Sequence, residues 1–146
     1  MKLKWGNETM NHVRWSEEFR FAPGSLRRIR WARATVGGVL AELAVFAIVF
    51  PVLYFFGQTA FLASILIASA AMPFLFALWV NRRVESHYLL HGVLVGAVAA
   101  LVYLIVAHGQ PEPLLYKIAH GLKLVGGALG GVVSALRTPA APQASN

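Results

Sequence analysis

Residues 33–56 read RATVGGVLAELAVFAIVFPVLYFF, and from Thr35 to Phe56 the only charged side chain is Glu42. A helix of that length covers roughly 35 Å at 1.5 Å per residue, enough to cross a hydrocarbon core of about 30 Å. A soluble core helix would alternate apolar and polar faces. This one is apolar all round, which points to lipid as its solvent.

Reading outward from this first span, Gly57-Gln58-Thr59 predicts a very short turn, so a second span from about Ala60 to Val80 must return antiparallel beside the first. Pro51 and Pro73 lie inside these spans, and Pro51 predicts a kink near the far end of span one. Asn81 to Ser86 forms a connector with Arg82 and Arg83, followed by a third span at about His87 to Ala107. The loop His108 to Pro113 has no lysine or arginine, and a fourth span runs from about Leu114 to Leu136. The expected fold class is all-α, a four-helix transmembrane bundle. Shifting the chain by 54 residues lays Gly38-Val39-Leu40 on Gly92-Val93-Leu94 and Arg83 on Arg137, as two repeated helical hairpins would; the identity is sparse, and chance is the alternative. The domain reading is a basic cytoplasmic segment at 1–32, a membrane domain at 33–137 and a disordered cytoplasmic tail at 138–146.

Composition agrees with this segregation. The 146 residues are 58% hydrophobic and 13% charged, against about a quarter charged in an average soluble domain. The absence of cysteine excludes disulfides, thiolate metal sites and cysteine nucleophiles. Of the thirteen basic residues, Lys2, Lys4, Arg14, Arg20, Arg27, Arg28, Arg30 and Arg33 precede or open the first span. That placement suits anionic lipid headgroups at a bilayer surface and not nucleic acid, for which no motif is present. The run from Ser16 to Phe21 reads equally as a short interfacial helix or as disordered chain, and Ser25 as a helix cap. The first 30 residues lack a signal peptide's apolar region, so no cleavage is expected; Met10 is an alternative start. Lysine and arginine outside the spans all fall on the side of the termini and of Arg82-Arg83, which places both ends in the cytoplasm and the chain in a plasma, or inner, membrane as a multi-pass protein.

Three groups of residues are candidates for a role. Gly126, Gly127, Gly130 and Gly131 in span four, with Gly92 and Gly96 in span three, provide small-residue spacing for close helix packing, either within the chain or in a homo-oligomer. Glu42 lies near mid-membrane, where a lone carboxylate is costly. Lys123, on the antiparallel fourth span, falls within about 7–8 Å of the same depth. A Glu42–Lys123 pair is therefore geometrically accessible; a bond from Glu42 to Ser64 or Ser69 is the competing structural reading. His120, one turn from Lys123, extends the candidate polar site, although Lys117, His120 and Lys123 step by three residues and wind round the helix. His87 and His91 share a face near the cytoplasmic end, and a headgroup-facing role is expected of them in preference to a metal site. No metal, cofactor or catalytic motif is legible.

A basic amino-terminus, the Ala41-Glu42-Leu43 stretch, a short turn, an arginine-bearing middle loop followed by Leu89-Leu90-His91-Gly92-Val93-Leu94-Val95-Gly96, and a glycine-rich last span together resemble a family of small uncharacterised four-span bacterial membrane proteins. The resemblance covers about residues 30–136. It implies a helical membrane domain and carries no activity.

The expected function is that of a non-enzymatic accessory or oligomeric component of a membrane complex, with a small transporter or channel having an intramembrane site near Glu42 as the alternative. The orientation is open to direct test. Reporter fusions after Asn146 and within 81–86 should read as cytoplasmic, and insertions at Gln58 and Gln110 as external; a cytoplasmic signal at Gln110 overturns it.

Overall fold

A computed structural model of the protein describes residues 30–84, 86–108 and 110–137. The readings at Ser16 to Phe21, at Ser25 and in the tail 138–146 lie outside the described residues. Within them the chain is all-α and has three helices: α1 Trp31–Asn81, α2 Tyr88–Ala107 and α3 Leu114–Arg137. All three are long and apolar enough to cross a membrane. That marks a membrane protein.

The expectation of a four-helix bundle made of two repeated hairpins is corrected by this count. Gln58 and Thr59, expected in a turn, are themselves helical, and the reversal falls within one helical element. A single 51-residue helix spans the region, broken only at Gly57, where φ is 79° and ψ −174°. That backbone region is open to glycine and closed to residues with a Cβ. The second half has no such break: α2 and α3 are separated by the non-helical stretch between Ala107 and Leu114. Gly38 meets Val95 and Val98, whereas Gly92 meets Gly127 and Gly131. The two halves are thus neither built nor packed as copies.

A straight helix of 51 residues would run for about 75 Å. Instead, Gly37 lies against Val80, so the break at Gly57 folds α1 back on itself into two arms, residues 31–56 and 58–81. The helix continues unbroken through Pro51 and Pro73. At the other end of the chain's second helix, His108 takes the left-handed conformation that ends α2, and its N–H bonds Leu104 O at 3.2 Å. Pro111 and Pro113 prevent resumption before Leu114.

Around the bundle axis the first arm packs on the second arm and on α2, and α3 closes the ring between α2 and the second arm. Small residues set this closure. A Cβ at Gly92 or Gly127 would run into the facing helix's backbone, one at Gly126 into Ala70 O, and one at Gly130 or Gly131 into Phe74 O or Tyr88 O. All six glycines of the sequence motif therefore pack inside the chain, Gly96 against Lys123. Arg30, Arg33, Arg82, Arg83 and Arg137 gather at this tightly packed end, over a core of Ala34, Ala41, Ala77, Val80, Val95 and Ala99. Toward the opposite end the core residues are larger, with Val45, Val49 and Ile65 among them. The outward faces carry Leu43, Phe50, Ile67, Leu75, Leu101, Ile105 and Leu129, a surface that water would not tolerate and lipid solvates.

Two different demands on glycine predict different mutational costs. Gly57 has open space where a Cβ would stand, so Gly57→Ala should cost about 1–3 kcal/mol through backbone strain alone. Gly127→Leu should cost at least about 3 kcal/mol through overpacking. Gly121, helical and without neighbours within 4 Å, should accept alanine with a gain of up to about 1 kcal/mol. Reversible unfolding in mixed micelles separates the three; equal stability of the Gly57 and Gly121 variants would show that the break does not depend on glycine's backbone freedom.

Candidate functional site

Glu42 sits in the first arm of α1, and Lys123 comes from α3 on the opposite strand of the bundle. The sequence delivers both to mid-membrane because Glu42 is about three turns from Trp31 and Lys123 about four turns from Arg137. Lys123 Nζ donates to Glu42 Oε1 at 2.8 Å and stands 2.7 Å from Oε2. Glu42 is 0% exposed and Lys123 2%. The Oε2 contact has ion-pair distance without an aligned hydrogen bond, so that oxygen retains capacity for a second donor. The close approach of α2 and α3 puts Gly96 against the backbone of Lys123, leaving the lysine stem no route but toward Glu42 and the bundle axis.

Of the two serines considered as partners, Ser64 is turned away, its Oγ donating to Phe61 O at 2.8 Å. Ser69 is buried and lines a cavity shared with the pair. That cavity holds about 240 Å³ and runs from Glu42, Ser69 and Lys123 past Tyr103 to Tyr116 and Val106. Its walls are mainly apolar. It lies in the half of the bundle away from the arginines, beside the core residues Val45, Val49, Ile65 and Ala119.

Tyr103 is a site residue that the sequence pass missed. Its ring centroid lies 4.8 Å from Lys123 Nζ, a cation–π contact worth about 2 kcal/mol once water is excluded. The same ring stacks on Tyr116 at 5.8 Å and tilts against His120 at 4.9 Å. A signal was present in the sequence: Tyr103 is a hydroxylated aromatic deep in α2's apolar stretch, about two turns from Gly96, the residue level with the Lys123 backbone, and within reach of a lysine side chain. His120 faces this ring and not Lys123; its Nε2 lies 3.3 Å from Glu112 Oε2, both side chains being partly buried, while its Nδ1 is buried without a partner. Lys117 is exposed. The polar groups thus descend from Glu112 through His120 and Tyr103 to Lys123 and Glu42, linked by ring contacts in the middle and by hydrogen bonds only at the two ends.

The headgroup-facing role expected of His91 is corrected. His91 is 0% exposed. Its Nδ1 lies 2.8 Å from His87 O and its Nε2 3.1 Å from the Arg30 backbone nitrogen. A carbonyl only accepts and an amide N–H only donates, so the ring is the neutral tautomer with its proton on Nδ1. His91 therefore caps the start of α1, which has no local side-chain cap. His87 stands outside α2 in the left-handed region, φ 57°, and its carbonyl is the acceptor for the His91 ring.

Comparison with protein-family models, with curated proteins and with solved structures gives no match for this chain.

The pair itself can be dissected. Glu42→Gln should strand a buried ammonium and cost about 3–5 kcal/mol, whereas Glu42→Gln with Lys123→Met should recover most of that loss, since neutral groups replace a buried ion pair at little cost. Unfolding in micelles measures both. A single Glu42→Gln variant as stable as wild type would show that the contact contributes nothing to holding α1 to α3.

Proposed function

We propose that this chain is a non-enzymatic membrane protein of transport type, working at the Glu42–Lys123 pair and loaded from the end of the bundle away from the arginines. One observation carries the reading: a cavity reaches the only buried ion pair among the described residues. A pair serving structure alone needs no access, and close packing would be its cheapest surrounding. A cavity with an apolar wall and a charged floor suits a small amphipathic solute, whose donor group would meet Glu42 Oε2 and whose body would lie against Phe46, Phe61 and Tyr103. Intramembrane ionisable residues facing an internal cavity commonly mark such pathways.

The orientation belongs to the same proposal. Arg30, Arg33, Arg82, Arg83 and Arg137 share one end, and the positive-inside bias assigns that end to the cytoplasm. The cavity then opens outward. Below the pair, Ala41, Ala77, Val95 and Ala99 close the axis on the arginine side, which supports an outward-facing state in this reading.

The accessory reading is the second one, and the internal use of the glycines bears on it. With Gly92, Gly96, Gly126, Gly127, Gly130 and Gly131 buried within the chain, a partner or second copy would have to dock on lipid-facing side chains.

Reconstitution into liposomes tests the proposal. Val106 lines the cavity and is largely exposed, so Val106→Trp should narrow the mouth without disturbing the core. Wild type should move protons or one member of a panel of small cationic, anionic and zwitterionic amphiphiles. Val106→Trp should slow that flux on the order of tenfold with unfolding unchanged, and the Glu42→Gln, Lys123→Met double variant should abolish it. Wild-type liposomes no more permeable than empty ones across the whole panel would defeat the transport reading.

A further inference from the structure

We infer that the arginine end of the bundle holds a specific site for an anionic phosphodiester lipid whose headgroup carries a free hydroxyl, as phosphatidylglycerol does. The site is a second cavity, of about 470 Å³, between the end of α1 and the end of α3. Arg82 and Arg137 stand on its rim, and no acidic side chain is among the described residues that line it. Two guanidiniums with no carboxylate between them among the described residues, across a cavity of this size, are matched by a phosphate.

Phosphate alone does not satisfy the rest of the site. Asn81 is 3% exposed, and its Nδ2 donates to Tyr88 O at 3.1 Å, which fixes the orientation of the amide. Its Oδ1 has no hydrogen-bond partner. A buried acceptor without a donor is costly. Both α1 and α3 also end here, and the last turn of a helix presents carbonyls that need donors and repel anions. The complementary ligand therefore joins an anion, for the guanidiniums, to a hydroxyl donor, for Asn81 Oδ1. The position supplies the remainder. The cavity lies where two membrane helices end, at headgroup level, with Leu78 and Val84 on its wall, so acyl chains attached to the phosphate continue along the lipid-facing side of the bundle.

This site is separate from the Glu42–Lys123 cavity and does not depend on what that cavity carries. Its test is equilibrium binding of short-chain lipids to the full-length chain in uncharged detergent micelles. Phosphatidylglycerol should bind about fivefold tighter than phosphatidylethanol, which has the same phosphodiester charge and no headgroup hydroxyl, and phosphatidylcholine should bind weakest. Arg82→Gln with Arg137→Gln should lower phosphatidylglycerol affinity on the order of tenfold or more; both residues are exposed, so folding should be retained. Arg83→Gln, the loss of a single charge outside the cavity, should stay within about twofold of wild type, against a loss of about threefold or more for Arg82→Gln alone. The inference is overturned if phosphatidylglycerol binds no tighter than phosphatidylcholine or than phosphatidylethanol, or if Arg83→Gln weakens binding as much as Arg82→Gln. It is equally overturned if soluble glycerophosphoglycerol binds as tightly as the lipid. The three-lipid comparison on wild type decides the matter even where a variant fails to fold.

Discussion

A charge in hydrocarbon must be neutralised by something the protein supplies, and Glu42 has one partner, Lys123, drawn from a helix more than eighty residues later. Much of the architecture follows from bringing those two atoms together. α3 must approach the first arm of α1 at mid-membrane with its lysine side turned inward. The glycines make this possible: with Gly92 and Gly96 on one helix and Gly127 and Gly131 on the other, α2 and α3 meet backbone to backbone, and Gly126 and Gly130 let α3 come as close to the second arm. Lipid offers no hydrophobic drive for helix association, so van der Waals contact at this seam and the ion pair at mid-depth together define where α3 sits.

Much of this was legible in the sequence, for physical reasons that can be named. Burial in lipid imposes length and apolarity on a helix, so the apolar stretches announced themselves, as did the clustering of arginine at one end. The depths of Glu42 and Lys123 follow from counting rise per residue, and that count left the two within reach of each other. Three consecutive non-apolar residues at Gly57-Gln58-Thr59 predict a short turn, whereas Gly57 with its positive φ is the sole non-helical residue within α1 and Gln58 is already helical. Periodicity cannot distinguish these, since the difference lies in two torsion angles. The repeat also misled, because matching letters at Gly38 and Gly92 hide different neighbours. His91 was illegible for another reason: its partner is a backbone N–H, and backbone groups leave no trace in residue identity.

The packing gradient along the bundle axis links these observations to function. Alanine and glycine dominate the core on the arginine side of the pair, where the backbones of α2 and α3 meet at Gly92, Gly127 and Gly131, short of the cavity at the helix ends. Valine, isoleucine, phenylalanine and tyrosine replace them toward the other end, and larger side chains on curved cylinders cannot fill space as well, so a cavity remains between them. The charged pair sits at the boundary between the two regimes. Its position lets the same residues that fasten the bundle also form the floor of the space above it.

The ring of His91 closes a hydrogen bond to the Arg30 backbone across 61 residues, with a consequence for the order in which the chain becomes structured. During synthesis α1 emerges first, yet among the described residues no side chain from its own neighbourhood caps its opening turn. That turn acquires the His91 cap only when α2 has followed it into the bilayer and brought that ring alongside. Until then the Arg30 N–H lacks this acceptor, so the bond that ties the start of the first arm to α2 forms late, after both have entered the bilayer.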